Sequence, residues 1–138
     1  MPENRIRVLL DTNVFVAAYW APRSASARLI RACIEGRVQA HYSQPVKREV
    51  MRMLTQIRVR ESYVQSLEPF WNAAVEVQPV AVDSISIDDP DDRKFLEAAM
   101  GGEVDFLATN DIHLLRVRYV GRTEILKPAS LMRTLGTG

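Results

Sequence analysis

Short apolar runs alternate along the chain with segments in which apolar residues recur every three or four positions. The first run, residues 6–10, predicts a buried strand because it is apolar almost without interruption. Later segments predict three more strands and one extended edge stretch, at 38–42, 104–109, 123–126 and 75–82. Because strands alternate with helices, we expect a parallel sheet covered by helices on both faces.

The segments with helical periodicity carry recognisable start and stop signals. Ser24 is predicted to cap a helix that extends to about Glu35, with Gly36 as its stop. Pro45 suits the first turn of a second helix, and Pro69 marks a break or a new start in a third. The predicted helices cover residues 24–35, 45–57, 61–74, 89–102, 111–116 and 128–135.

The composition is that of an ordinary globular protein. The chain has 138 residues, 47% hydrophobic and 25% charged, which predicts one domain spanning residues 1–138. The single cysteine, Cys33, excludes an internal disulfide and a cysteine zinc cluster, and it falls in an apolar helix stripe. No run approaches the ~20 apolar residues of a membrane span, and no apolar signal segment opens the chain. We therefore expect a cytoplasmic protein without membrane contact.

Charge is distributed unevenly, although the net charge is only +1. Nine of the 17 acidic residues lie between Asp83 and Asp111, whereas residues 47–60 and 116–133 each hold five basic residues and one acidic residue. An acidic centre between basic surfaces suits metal ions and a phosphate-rich polymer. Solvated helix faces are the alternative explanation for either basic stretch.

Two aspartates follow predicted strands. Asp11 ends the apolar run 8–10, and Asp111 lies just beyond the run 106–109. In parallel α/β sheets, functional residues collect at the carboxyl ends of the strands. Either aspartate also fits a simpler role as the cap of the next turn or helix. Asn13 lies between buried segments and is predicted to orient Asp11 or to hold a metal-bound water.

Two further acids fall on apolar faces of predicted helices. Glu49 shares a face with Val46 and Met53. Asp92 shares a face with Phe95 at the start of its helix. Buried acids need partners. In the simpler alternatives, Glu49 lies at the edge of the apolar stripe and reaches water, and Asp92 only stabilises the start of its helix through the helix dipole.

Carboxylates brought close together repel one another unless protons or cations lie between them. A parallel sheet would gather these acids at one end, so the sequence predicts a divalent-metal site and a hydrolase of phosphate esters. The acids are Asp11, Glu49, Asp92 and Asp111. His41 and His113 suggest no Ser-His-Asp arrangement, and the sequence has no glycine-rich phosphate loop or dinucleotide fingerprint.

The chain resembles PIN-domain proteins, of the kind that includes VapC-like toxins of prokaryotic toxin–antitoxin pairs. The resemblance rests on four segments: 8–15 (VLLDTNVF), 47–50 (KREV), 89–99 (DPDDRKFLEAA) and 106–111 (FLATND). It implies a three-layer α/β/α sandwich with a central parallel sheet. The family's acidic positions match Asp11, Glu49, Asp92 and Asp111, and its supporting polar positions match Asn13 and Thr109. Asp91 replaces Asp92 if the alignment shifts by one residue.

The resemblance also implies an activity, a cofactor and partners. We expect an endoribonuclease that hydrolyses phosphodiester bonds of single-stranded RNA with one or two Mg²⁺ or Mn²⁺ ions. It would be the toxin of a type II toxin–antitoxin pair, with a small antitoxin protein and a second copy of the chain as partners. Asp11, Asp92 and Asp111 are expected to contact metal, and Glu49 to contact it or to hold the attacking water. The basic residues expected to bind the RNA backbone are Arg23, Arg48, Arg52 and Arg116.

Two other protein classes fit parts of the pattern. A phosphatase of the haloacid-dehalogenase type also has an Asp after its first strand, but it needs a second Asp two residues later, where this chain has Asn13. A non-catalytic binding module or a response-regulator-like receiver is the other alternative. A receiver needs an early acidic pair and a Lys after a late strand, and neither the strand from Arg5 to Asp11 nor the segment from Phe106 to Asp111 supplies them.

Overall fold

A six-stranded sheet forms the centre of the computed structural model, which describes residues 5–83, 85, 87 and 89–136. In chain order the strands are β1 (Arg7–Leu10), β2 (Gln39–Tyr42), β3 (Val75–Glu76), β4 (Phe106–Ala108), β5 (Tyr119–Val120) and β6 (Thr123–Leu126). Their order across the sheet is β3-β2-β1-β4-β6-β5. All neighbouring pairs are parallel except β5 and β6. The α/β fold class predicted from the alternation of strands and helices is therefore confirmed.

Helices connect most of these strands. They are α1 (Thr12–Trp20), α2 (Ala25–Ile34), α3 (Gln44–Gln56), α4 (Glu61–Ser66), α5 (Glu68–Ala73), α6 (Arg93–Gly102), α7 (Ile112–Leu115) and α8 (Pro128–Thr134). The side chains of Ser24 and Ser43 cap α2 and α3, and Pro69 lies in the first turn of α5. Within the described part of the chain, each helix is too short or too polar to cross a membrane.

Helix α1 is an element that the sequence analysis did not predict. Asp11 caps it, and its residues are apolar on almost every side, including Val14, Phe15 and Ala18, which are buried. Helical periodicity is visible only when one face of a helix is polar. Helix α1 packs against both α2 and α3 and has little exposed face, so the pattern gave no signal.

The predicted parallel sheet is wrong at one edge. Strand β5 pairs antiparallel with β6 through a tight turn at Gly121, whose φ of 56° suits glycine. The pairing covers only Tyr119 and Val120 on the β5 side, and two residues are too few to show a period along the sequence. The extended stretch predicted at 75–82 also forms a strand over only its first two residues.

The helix predicted at 89–102 begins with a 3-10 turn, Pro90–Asp92, and continues as α6 to Gly102, where it was predicted to end. The residue that caps it, Glu103, is left-handed with φ 48°. Gly101 also allows a close crossing, because a Cβ there would lie 1.8 Å from the backbone oxygen of Gln78. The extended chain crosses α6 at this point, and the Val80 N–H donates to the Glu97 carbonyl.

The core consists of two layers, one on each face of the sheet. Alternate residues of β1 face opposite layers: Leu10 packs with α1, α2, α5 and α8, whereas Leu9 packs with α6 and α7. Helix α3 contributes to both layers, with Val50 in the first and Val46 in the second. The molecule is therefore a three-layer α/β/α sandwich.

The chain changes direction across the sheet at β1. From β1 it passes to β2 on one side, and it later returns to β4 on the other side. Open α/β sheets have a crevice at such a switch point, outside the carboxyl ends of the strands. In this protein the crevice lies where Leu10 of β1 and Ala108 of β4 end their pairing.

Candidate active site

Asp11 is fixed at the carboxyl end of β1 by four hydrogen bonds. Its backbone N–H donates to the Ala108 carbonyl over 3.0 Å. Its Oδ1 accepts the Thr12 N–H at 2.7 Å, and its Oδ2 accepts the Thr109 hydroxyl at 2.6 Å and the Asn13 amide at 2.9 Å. The residue is only 4% exposed. The carboxylate therefore has one orientation, set by both strands.

Asn13 and Thr109 connect Asp11 to the chain around Asp111. The Thr109 hydroxyl accepts the Asp111 N–H at 2.9 Å while it donates to Asp11. The Asn13 side-chain oxygen accepts the Asn110 N–H at 3.0 Å. Both side chains therefore link the Asp11 carboxylate to the backbone of residues 110 and 111.

Asp92 and Asp111 meet beside Asp11. Asp92 closes the 3-10 turn before α6 and is 9% exposed, and its carboxyl lies close enough to those of Asp111 and Asp11 for their charges to interact. The Asp92 Oδ2 is buried and has no hydrogen-bond partner among the described residues. Asp111 caps α7 by accepting the His113 N–H at 2.8 Å. Asp111 thus serves both as a helix cap and as part of the acidic group.

Burial and mutual repulsion raise the pKa of two of these acids. Burial raises the pKa of Asp11 to about 6, with a smaller contribution from the charge of Asp111. Burial first, then the hydrogen bond and charge of Asp111, raise the pKa of Asp92 to about 7. These carboxyls therefore keep a proton at pH values where ordinary aspartates are ionised, unless a cation neutralises them.

Glu49 has a different environment. Its two carboxylate oxygens accept hydrogen bonds from Arg52 at 2.9 Å each, and Oε1 also accepts one from Lys94 at 3.1 Å. Burial alone would raise the pKa of Glu49, but the hydrogen bonds of Arg52 and Lys94 outweigh it and lower the pKa. Glu49 is therefore an ionised carboxylate held by two cations.

The four predicted acids line one cleft of about 410 Å³, which we call the acidic cleft. Asp89 and Asp91 also line it, but both are exposed. Asp89 caps the turn by accepting the Asp91 N–H, whereas the side chain of Asp92 is buried beside Asp111. The geometry thus favours Asp92 over Asp91 as the third member of the acidic group.

The acidic cleft suits a divalent cation by its donor chemistry. In the part of the chain that the structure describes, no three Asp, Glu, His or Cys side chains form a ready-made coordination group. Of the four acids, Glu49 is held by Arg52 and Lys94. The cleft nevertheless offers hard carboxylate oxygens, including the partnerless Oδ2 of Asp92, and these are the ligands that Mg²⁺ and Mn²⁺ prefer.

The predicted backbone-binding arginines divide into two pairs. Arg52 lines the acidic cleft, and Arg48 lies one turn earlier on α3. Arg23 and Arg116 are exposed but do not line that cleft. Lys94, which contacts Glu49, was missed by the sequence analysis. The sequence feature that could have indicated it is its position, since Lys94 is one of two basic residues in the acidic stretch between Asp83 and Asp111.

Comparison with known protein families agrees with this geometry. A family model described as the PIN domain matches residues 7–113, most of the 138-residue chain. The chain belongs to the PIN-domain family. PIN domains are in general nucleases, and they generally use divalent metal ions. None of the curated proteins matches the sequence of this PIN-domain chain.

Two solved structures share the fold of this PIN-domain protein. One is VapBC2 from Rickettsia felis bound to a DNA fragment from their promoter, with 15% identity and a TM-score of 0.60 over 87% of this chain and 97% of that chain. The other is PAE2754 from Pyrobaculum aerophilum, with 12% identity and a TM-score of 0.60 over 96% of this chain and 91% of that chain. At these identities the similarity establishes a common fold.

Proposed function

We propose that this PIN-domain protein is a divalent-metal-dependent endoribonuclease that hydrolyses phosphodiester bonds of single-stranded RNA. The observation that carries the proposal is the acidic group of Asp11, Asp92 and Asp111 at the switch point of the sheet, with two pKa values raised by burial. An ion pair does not explain the burial of Asp11, because the hydrogen bonds to its carboxylate come from Thr12, Asn13 and Thr109, which carry no positive charge. A group that repels itself is stabilised by the cation it binds.

Asp11, Asp92 and Asp111 would hold one or two Mg²⁺ or Mn²⁺ ions. When bound, such an ion supplies an activated water at neutral pH and positive charge opposite the reacting phosphate. Thr109 and Asn13 hold the Asp11 carboxylate in position before the ion arrives, through bonds of 2.6 and 2.9 Å. Glu49, ionised at the edge of the cleft, would accept a hydrogen bond from the attacking water or join the metal ligands.

Asn13 argues against the phosphatase alternative. Its amide donates to Asp11 Oδ2 and its side-chain oxygen accepts the Asn110 N–H. An aspartate at this position, as the haloacid-dehalogenase type requires, would have no proton to give to Asp11 and would add another negative charge. The local hydrogen bonds therefore favour a supporting residue here and the nuclease as the function.

The biological role proposed for the enzyme is that of a toxin. The fold similarity to VapBC2 supports a small antitoxin protein as its partner, and a homodimer is proposed by the same analogy. We further propose that residues 1–138 act as one catalytic domain in the cytoplasm. Single-stranded RNA is favoured as substrate because an unpaired strand can bend into a small cleft.

Cleavage of a labelled single-stranded RNA tests the proposed function. Wild type, Asp11→Asn and Asp92→Asn are compared in Mg²⁺, in Mn²⁺ and in EDTA. The control variant is Glu35→Gln, because Glu35 is an exposed acid that does not line the acidic cleft. We expect cleavage by wild type and Glu35→Gln only when metal is present, and a loss of at least about 100-fold in either aspartate variant. Circular dichroism checks that the variants are folded. Equal cleavage by both aspartate variants and wild type would refute the site.

A further inference from the structure

A second cleft adjoins the acidic cleft on the side of α3 and α6. We call it the basic cleft; it has a volume of about 310 Å³ and is lined by Pro45, Arg48, Glu49, Arg52 and Lys94. Glu49 and Arg52 line both clefts, so the two are contiguous. From this juxtaposition we propose that the basic cleft is a subsite for a phosphate group of the substrate strand, next to the phosphate that is cleaved. This proposal rests on the proposed function for the identity of its ligand.

The charges in the basic cleft favour an anion. Three cationic side chains, those of Arg48, Arg52 and Lys94, face one carboxylate, that of Glu49. Two of the cations bond to Glu49, whereas Arg48 has no ion pair or side-chain hydrogen bond within the described residues. The excess positive charge lies beside the acidic cleft, which alone would repel a polyanion. A strand that enters the acidic cleft therefore gains attraction from this side of the rim.

The donors reach the basic cleft from two helices that pack together. Arg48 and Arg52 are four residues apart on one face of α3, and Lys94 comes from the first turn of α6. Helices α3 and α6 are in contact, so the spacing of these donors is set by the core beneath them. Arginine and lysine donors arranged on two walls suit the oxygens of a phosphodiester.

The ion pairs on Glu49 do not close the subsite. Arg52 has 52% of its side chain exposed and bonds to Glu49 through one nitrogen, Nη2, so its other N–H groups remain to donate. A phosphate can therefore take hydrogen bonds from Arg52 at little cost. Lys94 is less exposed, at 27%, and has donors left over after its bond to Glu49. The cleft thus offers donors on Arg48, Arg52 and Lys94 at the same time.

The acidic cleft is also open on its opposite side, as a polymeric substrate requires. There it adjoins a cleft of about 450 Å³ that shares Asn13 and Val16 with it and contains Asn110 and Lys127. The three clefts form one groove across the carboxyl ends of β1 and β4. A strand in this groove would cross the acidic group between its two ends, with the stronger positive charge at the basic cleft.

Binding of a fluorescein-labelled 12-nucleotide single-stranded RNA tests the subsite. Fluorescence anisotropy is measured in Mg²⁺ with Asp11→Asn as the background, so that the probe stays intact. Arg48→Ala and Lys94→Gln are added to this background singly. Arg37→Ala is the matched control, because Arg37 is an exposed arginine just before the amino end of β2, whereas the clefts lie at the carboxyl ends of the strands. The salt concentration is varied in every series.

We expect Arg48→Ala and Lys94→Gln each to weaken RNA binding at least about fivefold and to lower the slope of log Kd against log salt by about 0.7, the loss of one phosphate contact. Arg37→Ala should leave both quantities at the background value. Binding within twofold of the background for both cleft variants would overturn the subsite, as would an equal loss in Arg37→Ala or no binding by the background protein. Cleavage by the chain with Asp11 intact is measured separately, so failure of the nuclease proposal is distinguishable.

Discussion

The hydroxyl of Thr109 donates to Oδ2 of Asp11 over 2.6 Å and so joins the carboxyl ends of β4 and β1. The two residues are 98 positions apart in sequence, and the parallel pairing of Leu10 with Ala108 brings them together. This hydrogen bond lowers the pKa of Asp11, whereas burial, the largest influence, raises it to about 6. Thr109 therefore determines how readily Asp11 gives up its proton to a cation.

Replacing Thr109 by Val should weaken both the fold and the site. The change removes the donor to Asp11 and the acceptor for the Asp111 N–H, and a buried group left unsatisfied costs about 1–3 kcal/mol. We expect the free energy of unfolding in urea to fall by that amount, and the pKa of Asp11 to rise further. Thr109→Ser, which keeps the hydroxyl, should behave like wild type. Equal stability of the Val and Ser variants would contradict this role.

The pH dependence of stability should carry the signature of the acidic group. The pKa of Asp11 is raised from 3.8 to about 6 and that of Asp92 from 3.8 to about 7, so the folded protein holds these protons more tightly than the unfolded chain. The stabilisation is fully present below the unfolded value and is lost as the pH rises through the folded values. In EDTA, the unfolding free energy of wild type relative to Asp92→Asn should therefore fall between about pH 4 and pH 8.

A divalent cation should reverse this loss. Because the cation competes with protons for the same oxygens, Mn²⁺ should raise the melting temperature more at about pH 8 than at about pH 5. Differential scanning fluorimetry of wild type and Asp92→Asn with Mn²⁺ or with EDTA measures the effect. A cation-induced shift that is independent of pH, or that persists in Asp92→Asn, would show that the ion binds elsewhere.

Gly101→Ala should destabilise the protein by about 3 kcal/mol. A Cβ on Gly101 would lie 1.8 Å from the Gln78 backbone oxygen, and backbone atoms on both sides must move to relieve the contact. Gly136→Ala is a useful comparison, since a Cβ on Gly136 would meet no atom within 4 Å. The only cost there is that alanine rarely adopts the left-handed φ of 71°. Urea denaturation of both variants measures the difference. A smaller loss for Gly101→Ala than for Gly136→Ala would mean that the crossing over α6 is loose.

Local chemistry made much of the fold predictable. Ser24, Pro45, Pro69 and the apolar runs marked the ends of most elements, because these signals depend only on neighbouring residues. Helix α1 and strand β5 could not be predicted in this way. Helix α1 lacks a polar face. Strand β5 has only two residues and is defined by its pairing with β6.

The acidic positions were also predictable, since strand ends and helix faces follow from periodicity. The partners of Glu49 were not, because the contact of Lys94 with Glu49 joins residues 45 positions apart on different helices. The closeness of Asp92 to Asp111, which raises the pKa of Asp92, likewise depends on how α6 packs against the sheet. Sequence patterns indicated which residues face inward, and tertiary packing determined what each one touches.

Calorimetric titration of the metal-free protein with Mn²⁺ at about pH 8 tests the central claim most directly, since the carboxyls are ionised there. Wild type, Asp11→Asn, Asp92→Asn and the exposed control Glu35→Gln are compared. We predict saturable binding by wild type and Glu35→Gln, and affinity at least about tenfold weaker in each aspartate variant. Absence of binding by wild type, or undiminished binding by a variant lacking both Asp11 and Asp92, would contradict a metal site built from these side chains.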